Sequence, residues 1–164
     1  MKKISFLLWS VFILAGCAGN TGSPSEKRTA AAGGAEVCIP NKNILPGTGL
    51  LPKVDDVRES VIRELLVKAA ACLPSSYEHD GIVFQNREDF LPRRALGYYH
   101  EYTLAVPGRN IGDKPVAVTV GTQPFMTGAI SSPRGPERII TGVAGEIYYT
   151  PDHYAHFVEL RIVR

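Results

Sequence analysis

Hydrophobic residues recur at intervals of three and four in residues 54–71, VDDVRESVIRELLVKAAA. They form one stripe: Val54, Val57, Val61 and Leu65, followed by Lys68, with Ile62, Leu66 and Ala69 beside it. This period predicts an amphipathic α-helix over residues 54–71. Asp55 and Asp56 lie in the predicted first turn, where the helix dipole favours anions, and Pro74 follows the end. A helix with one apolar face requires a partner surface to cover it.

After Pro74 the pattern changes to short β-like runs between Gly and Pro turns. The predicted strands are Ile82–Asn86, Tyr98–Val106, Val116–Gly121, Arg138–Thr141, Ile147–Thr150 and Ala155–Val163. Within them, residues 107–136 are rich in Gly and Pro and predict a long loop with one added strand. Because the helix comes first and strands follow without βαβ alternation, the order predicts an α+β fold. One N-terminal helix would pack on a multi-stranded antiparallel sheet.

The N-terminus has the pattern of an export signal. Lys2 and Lys3 precede an apolar run over residues 4–15, too short to span a bilayer as a stable helix. The run ends in residues 14–17, Leu-Ala-Gly-Cys, which resembles the lipobox of bacterial lipoproteins. The resemblance implies a signal peptide over residues 1–16 and a lipid on Cys17 that holds the chain at a membrane. Ala18 rather than Asp implies the outer membrane if the cell has one, and otherwise the cell surface. The alternative is an ordinary secretory signal with an incidental cysteine.

Residues 17–36 are mostly Gly, Ser, Thr and Ala, which predicts a flexible tether after the lipidated cysteine. Residues 37–164 suit a single domain with one core. With Cys17 set aside, Cys38 and Cys72 remain, and an oxidising exported compartment would favour a disulfide between them. Such a bridge would contribute roughly 3–4 kcal/mol in the chain-entropy model. The alternative is two buried free thiols.

The charge is balanced. The full sequence has 18 Lys and Arg against 16 Asp and Glu, and residues 1–16 contain two lysines and no acidic residue. Residues 17–164 therefore have 16 of each, and no global basic field favours a polyanion. A contact with nucleic acid would have to come from a few placed arginines.

One predicted strand, within GYYHEYTLAV at residues 97–106, has a glutamate at its centre. Alternation puts Tyr99, Glu101 and Thr103 on one face and His100 and Tyr102 on the other. If the helix covers the second face, Glu101 stands on the open face. Taken alone, Glu101 could be a structural ion-pair partner of an arginine.

Two polar clusters could join Glu101 on that face, residues 134–138 (Arg-Gly-Pro-Glu-Arg) and residues 152–154 (Asp-His-Tyr). A carboxylate, an imidazole and guanidiniums on one face suit phosphoryl transfer without a metal. The carboxylate takes a proton from an attacking hydroxyl, the imidazolium protonates the leaving oxygen, and the guanidiniums bind the phosphate. His153 and His156 also invite a metal interpretation. Positions three apart on a strand face opposite ways, which argues against it.

Several segments in the same order resemble the guanyl-specific bacterial ribonucleases, the family of barnase and the Streptomyces ribonucleases, and are nearest to the latter. The matching segments cover most of residues 77–158. They are 80–88 (DGIVFQNRE), 91–92 (LP), 97–103 (GYYHEYT), 134–135 (RG), 138–142 (RIITG) and 148–157 (YYTPDHYAHF, except Pro151 and His156).

This resemblance implies a role for each matched residue. Glu101 corresponds to the general base, His153 to the general acid, Arg134 and Arg138 to the phosphate-binding arginines, and Tyr154 to a tyrosine beside the phosphate. The implied enzyme is a guanine-preferring endoribonuclease that needs no metal and no cofactor. It cleaves single-stranded RNA 3′ of G through a 2′,3′-cyclic phosphate. The alternative is an inactive nuclease-fold lipoprotein that binds a protein partner or a nucleotide.

The resemblance also implies the base-binding residues. Glu88 would accept both donors of guanine N1–H and N2–H₂, which adenine cannot match. Backbone amides of Gln85, Asn86 and Arg87 would donate to guanine O6, and Phe84 would stack on the base. Sites built on such hydrogen bonds discriminate by ~10⁴ or more. Alternatively, Glu88 caps the turn after its strand.

The chain departs from the family in three places. A segment within residues 110–131 has no counterpart in the small secreted members, and it could add an RNA subsite, shield the cleft or bind an inhibitor. Glu137 stands where the nearest relatives have a basic residue, which predicts weaker attraction of phosphate. The family's late cysteine is missing. As a partner beyond RNA and the membrane, the family implies a barstar-like protein inhibitor.

Overall fold

The computed structural model describes residues 38–164, and the predicted signal peptide, the lipidation site Cys17 and the tether lie outside the described residues. One α-helix and eight strands form the described chain, after a short 3-10 helix at Lys42–Ile44. They are β1 (Gly49–Leu51), α1 (Asp56–Ala70), β2 (Ile82–Val83), β3 (Tyr99–Thr103), β4 (Ala117–Val120), β5 (Gln123–Met126), β6 (Arg138–Gly142), β7 (Ile147–Thr150) and β8 (Val158–Val163). Within residues 38–164, no helix is long and apolar enough to cross a bilayer.

Six strands form one antiparallel sheet in the order β1-β8-β7-β6-β3-β2. The helix α1 packs on one face of this sheet, where Ile62 and Leu66 join Ile139, Tyr149 and Leu160 in the main core. A smaller core lies on the opposite face. The α+β architecture predicted from the order of elements is confirmed.

The buried face of α1 differs from the predicted stripe. Arg58, Ile62, Leu66, Ala69 and Ala70 are buried, whereas Val57 and Lys68 of the stripe are exposed. The helix begins where Asp55 accepts a hydrogen bond from the backbone N–H of Arg58 at 3.0 Å. Periodicity alone could not indicate Arg58, because its burial depends on a carboxylate from a distant strand.

That carboxylate belongs to Glu137, which precedes β6. Arg58 donates to it through Nε and Nη2, both at 2.8 Å, and the Tyr149 hydroxyl donates to it at 2.5 Å. Burial lowers the pKa of Arg58, but the hydrogen bonds and charge of Glu137 outweigh burial and raise it above its usual range. The charge of Glu137 is therefore paired with Arg58 in the core beneath α1, which argues against the predicted effect on phosphate attraction.

Cys38 and Cys72 form a disulfide, in agreement with the prediction. The bridge joins the first described residue to the segment just after α1, where the Asn41 backbone N–H also donates to the Ala70 carbonyl at 3.0 Å. It closes a loop with a sequence separation of 34 residues. The bridge and this hydrogen bond fasten the segment before β1 to the end of the helix.

Residues 107–136, predicted as a long loop with one added strand, contain two strands. β4 and β5 pair as an antiparallel hairpin, separate from the main sheet. The hairpin turn is tied to the start of α1, since the Gly121 N–H donates to the Lys53 carbonyl at 2.6 Å. Gly128, just after β5, donates to the Pro151 carbonyl at 3.2 Å. The segment therefore connects the helix to the turn that follows β7.

Candidate active site

The face of the sheet opposite α1 carries Glu101 and Thr103 of β3. Tyr99 packs there against Leu91, Ile140 and Tyr148, whereas Leu104 belongs to the core beneath α1. Alternation therefore placed Glu101 on the correct face. The face is not open at this point, because Glu101 is only 8% exposed.

Both oxygens of the Glu101 carboxylate are engaged. Arg134 Nη2 donates to Oε1 at 3.1 Å, and the Tyr154 hydroxyl donates to Oε2 at 2.6 Å. Arg134 Nε also donates to the Thr103 hydroxyl at 2.8 Å. Burial, and then the hydrogen bond to Glu101, raise the pKa of Tyr154 to about 12. The carboxylate is thus held in one orientation by a charged neighbour, Arg134, and a neutral hydrogen-bond donor, Tyr154.

Arg138 lies on β6, opposite Thr103 of β3. Its Nη1 donates to the carbonyls of Arg134, Gly135 and Glu137 at 3.1, 2.8 and 2.8 Å. The Nε atom is buried and has no hydrogen-bond partner within residues 38–164. The guanidinium therefore organises the loop that carries Arg134.

His153 lies in the turn after β7, not in the predicted strand. Its backbone N–H donates to the Pro136 carbonyl at 3.0 Å, and its ring is 4.6 Å from that of Tyr154. Burial, followed by the charges of Arg138 and Arg134, lowers the pKa of His153 below its ordinary value of 6.5, while Glu101 opposes this shift. The imidazole therefore lies close enough to both arginines and to the glutamate for their charges to act on its pKa.

The strand predicted from residue 155 begins only at Val158, so the strand argument against pairing His153 with His156 does not apply. His156 Nδ1 instead contacts Asp152, and the His156 ring lies against Phe125 of β5. Among the described residues, no group of three or more His, Cys, Asp and Glu side chains is arranged to hold a metal ion.

The residues predicted to bind the base follow β2, which ends at Val83 rather than Asn86. Asn86 closes this loop, since its side chain donates to the Leu91 carbonyl at 2.8 Å and accepts from the Leu91 N–H at 3.0 Å. Phe84 packs against the rings of Tyr154 and Phe157 at 5.3 and 5.9 Å. The loop predicted to bind the base, residues 84–91, is thereby joined to the turn that carries His153.

A cavity of about 320 Å³ lies within this loop, with Phe84, Gln85, Asn86 and Tyr99 in its lining. Arg87 and Glu88 are exposed and do not line it. The structure therefore brings three of the five predicted base-binding residues around one space and leaves two at the surface beyond it.

Sequence reasoning assigned no role to Asp80. Its side chain is 1% exposed, accepts a hydrogen bond from the Thr103 N–H at 2.7 Å, and lies 3.7 Å from Arg134 Nη2. It therefore helps to fix both the strand end and the guanidinium that binds Glu101. Its place at the start of the matched segment DGIVFQNRE was the available signal.

Glu101, Arg134, Arg138, His153 and Tyr154 thus converge on one face of an antiparallel sheet. Residues 53–161 match a family described as ribonuclease, and the chain belongs to this ribonuclease family.

Three curated relatives share this region. The chain is 45% identical over 85 residues to guanyl-specific ribonuclease Sa of Kitasatospora aureofaciens, covering 51% of this chain and 66% of that protein. It is 45% identical over 85 residues to ribonuclease Sa3 of the same organism, covering 51% and 45% of the two chains. It is 40% identical over 84 residues to ribonuclease St of Saccharopolyspora erythraea, covering 51% and 61%. The match thus spans from 45% to 66% of the lengths of these relatives.

Solved structures of ribonuclease Sa2 are also similar. The chain aligns with the crystal structure of ribonuclease Sa2 with guanosine-2′-cyclophosphate at 37% identity and a TM-score of 0.44. The alignment covers 61% of this chain and 83% of that one.

Proposed function

We propose that the chain is a guanine-preferring endoribonuclease that cleaves single-stranded RNA on the 3′ side of G without a metal ion. The observation that carries this proposal is the joint placement of Glu101, Arg134, Arg138 and His153 on one face of the sheet. Membership of the ribonuclease family and three relatives named guanyl-specific ribonucleases support it.

In the first step, Glu101 takes the proton of the ribose 2′-hydroxyl, whose oxygen attacks the adjacent phosphorus. The bond from phosphorus to the 5′-oxygen of the next nucleotide breaks, and protonated His153 gives its proton to that oxygen. The products are a 2′,3′-cyclic phosphate and a free 5′-hydroxyl. In the second step, neutral His153 takes a proton from water, which opens the ring, and Glu101 returns its proton to the 2′-oxygen.

The remaining polar residues act on charge and orientation. Arg134 and Arg138 bind the non-bridging oxygens of the phosphate, where negative charge increases during transfer. Tyr154 keeps its proton at neutral pH, as any tyrosine does, and its pKa of about 12 extends this to more alkaline pH. It can therefore donate a hydrogen bond either to Glu101, as it does here, or to a bound phosphate.

The decisive test is digestion of a defined RNA by residues 37–164 in the presence of a chelator, with the product ends mapped. Cleavage after G that leaves a cyclic phosphate supports the proposal. Intact RNA at high protein concentration would overturn it and would favour the inactive nucleotide- or protein-binding alternative.

The proposed base-binding residues are Phe84, Gln85, Asn86, Arg87 and Glu88. The carboxylate of Glu88 would accept from guanine N1–H and N2–H₂, backbone amides of the next three residues upstream would reach O6, and Phe84 would offer its ring. Exposure of Glu88 leaves it free to move over the 320 Å³ cavity when a base enters.

Replacing Glu88 by alanine should lower the preference for G over A by about 10- to 100-fold, the value of one bidentate base contact. Cleavage itself should fall less than the preference. The measurement compares kcat/KM on two RNAs that differ only by G or A at the cleavage site. Glu159→Ala, at an exposed position on β8, is the matched control. Unchanged preference in Glu88→Ala would show that the base loop is misassigned.

The pKa of His153 should move in opposite directions when Arg134 and Glu101, two of its three charged neighbours, are neutralised in turn. Arg134→Gln removes a positive charge and should raise the pKa of His153, whereas Glu101→Gln removes a negative charge and should lower it. NMR titration of the ligand-free protein measures both. Because the general acid must be protonated, wild-type kcat/KM should decline as pH rises through a value below 6.5. Shifts of the same sign in both variants would contradict this field.

We also propose that the chain is exported and anchored through a lipid on Cys17, as the Leu-Ala-Gly-Cys sequence at residues 14–17 suggests. Mass spectrometry of Cys17 from the membrane fraction tests this, and an unmodified N-terminus there would overturn it. A barstar-like protein inhibitor is a further proposed partner. If cells express the chain without toxicity and the purified chain carries no bound cytoplasmic protein, that result would count against an inhibitor.

A further inference from the structure

The β4–β5 hairpin contacts the turn that carries His153 at two places. Gly128, just after β5, donates its backbone N–H to the Pro151 carbonyl at 3.2 Å. Phe125 of β5 has its ring centre 5.9 Å from that of His156, with an angle of 62° between the ring planes. Both partners lie in the turn between β7 and β8, one before His153 in the sequence and one after it. The hairpin therefore contacts this turn on both sides of the histidine.

The turn needs such support because its backbone is unfavourable. His153 and Tyr154 have φ angles of 59° and 77°, in the left-handed region. Residues with side chains rarely adopt this conformation, and it persists only where the surrounding structure holds it. The Thr150 hydroxyl accepts from the Tyr154 N–H at 2.9 Å, and the Pro136 carbonyl accepts from the His153 N–H at 3.0 Å. The position of the imidazole thus depends on contacts that hold two consecutive residues in place.

Gly128 lies against both segments that are joined by the hydrogen bond between His153 and Pro136. A Cβ atom at Gly128 would lie 2.7 Å from the Pro136 Cβ and 3.8 Å from the Asp152 Cα. No side chain separates the hairpin end from these two residues. A displacement of the hairpin end would therefore displace Pro136 or the turn, and His153 with it.

The second contact reaches the turn through His156 and Asp152. Asp152 accepts from the His156 N–H at 2.9 Å through Oδ1, and its Oδ2 contacts His156 Nδ1. The His156 side chain is 64% exposed, and exposed side chains exchange rotamers rapidly. The ring of Phe125 restricts this exchange, because it lies against the imidazole. The contact thereby helps to fix Asp152, the residue directly before His153.

The hairpin can support the turn because its own position is fixed. Phe125 packs against the main core beneath α1, and the Gly121 N–H donates to the Lys53 carbonyl at 2.6 Å. At its other end, the Thr127 N–H donates to the Val116 carbonyl at 2.9 Å, and the Thr127 hydroxyl accepts from the Val116 N–H at 3.0 Å. The hairpin is thus tied to the core, to the segment before α1 and to the turn of the histidine.

We propose that the β4–β5 hairpin positions the general acid His153, with Phe125 and His156 as positioning residues that act through the turn. The inference rests on the proposed ribonuclease function and goes beyond it, because it assigns a catalytic effect to residues that need not contact RNA. A misplaced imidazole would slow the step in which His153 gives its proton to the leaving 5′-oxygen. It would not slow a cleavage in which the leaving group needs no proton.

The test compares two substrates that differ in this need. Guanylyl-3′,5′-uridine has a leaving 5′-oxygen that must be protonated. In guanosine 3′-(4-nitrophenyl phosphate), 4-nitrophenolate leaves with the electron pair of the broken P–O bond and takes no proton. Phe125→Leu should lower kcat/KM on the dinucleotide by about 10- to 100-fold, because a misplacement of about 1 Å costs about 10²-fold. On the nitrophenyl ester it should remain near the wild-type value, whereas a loss of folded protein would lower both values equally.

Three further variants make the comparison specific. His156→Ala should show the same selective loss, and the double variant with Phe125→Leu should lose no more than the larger single loss, because both changes remove one contact. His153→Ala should show the largest selective loss. Met126→Ala is the matched control, since Met126 is the next residue of β5, is 56% exposed and should cleave both substrates as the wild type does.

Failure of the inference and failure of the proposed function give different results. No cleavage of either substrate by the wild-type protein refutes the proposed function. Equal losses on the two substrates in Phe125→Leu, or no loss, overturn the positioning role while the function stands, as do additive losses in the double variant. An equal loss on both substrates in His153→Ala would remove the acid role of His153 and the inference with it.

If Phe125→Leu does not fold, His156→Ala decides, because replacement of a side chain that is 64% exposed should leave the fold intact. A wild-type ratio of kcat/KM on the two substrates in that variant would overturn the positioning role.

Discussion

Replacing Glu101 by glutamine is expected to lower kcat/KM on RNA by about 10²- to 10⁴-fold, because an amide cannot act as the base toward the 2′-hydroxyl. The amide is nearly the same size as the carboxylate, and its oxygen can still accept from Arg134 or Tyr154. The fold should therefore remain intact, as circular dichroism and thermal unfolding would show. The rate is measured on an RNA with a single G.

Glu64→Gln makes the same chemical change at an exposed position of α1, where Glu64 pairs with Lys68. This control should cleave RNA at the wild-type rate. Near-wild-type activity in Glu101→Gln would remove Glu101 from the mechanism. The contacts of Glu101 with Arg134 and Tyr154 would then have a structural role, as an ion pair and a hydrogen bond.

Replacing Glu137 by glutamine is expected to lower the free energy of unfolding by about 3–5 kcal/mol, because the charge of Arg58 then stays buried without its partner. Arg58 and Glu137 side chains are 9% and 4% exposed, so solvent cannot replace the lost charge. Asp55 keeps a contact of 2.8 Å with Arg58, and its 44% exposure limits the compensation it offers. Denaturant unfolding measures the change.

Two controls separate the buried pair from charge in general. Glu64→Gln breaks an exposed i,i+4 pair and should change stability by no more than about 0.5 kcal/mol. The double variant Arg58→Met with Glu137→Met should recover most of the loss, because apolar residues of similar volume often replace a buried pair at little cost. Equal losses in Glu137→Gln and Glu64→Gln would show that the buried pair does not stabilise the fold.

The position of the helix before the main strands and the two faces of β3 could be predicted from the sequence. The helix has a clear period of three and four, and the alternation around Glu101 is regular over five residues. The disulfide followed from the compartment implied by the N-terminus. The convergence of Glu101, Arg134 and His153 was implied by resemblance, because no local rule places residues from three distant segments together.

The features that were missed have identifiable physical causes. β1 is only three residues long, and it forms because residues 161–163 of β8 supply the partner strand. β5 contains Pro124, which argues against a strand, and a hairpin outside the main sheet tolerates it. Glu137 was expected to weaken the attraction of phosphate because it lies between Arg134 and Arg138 in the sequence. The pleat turns it toward α1 instead, where Arg58 and Tyr149 bind it.

All five residues of β6 are buried. Ile139 contributes to the core under the helix, while Arg138 and Ile140 serve the other face. A slip of one position would exchange the two sets and drive a guanidinium into hydrocarbon. In a saturation mutagenesis experiment, β6 should tolerate few substitutions. A substitution in β6 that lowers thermal stability should usually lower the turnover rate as well.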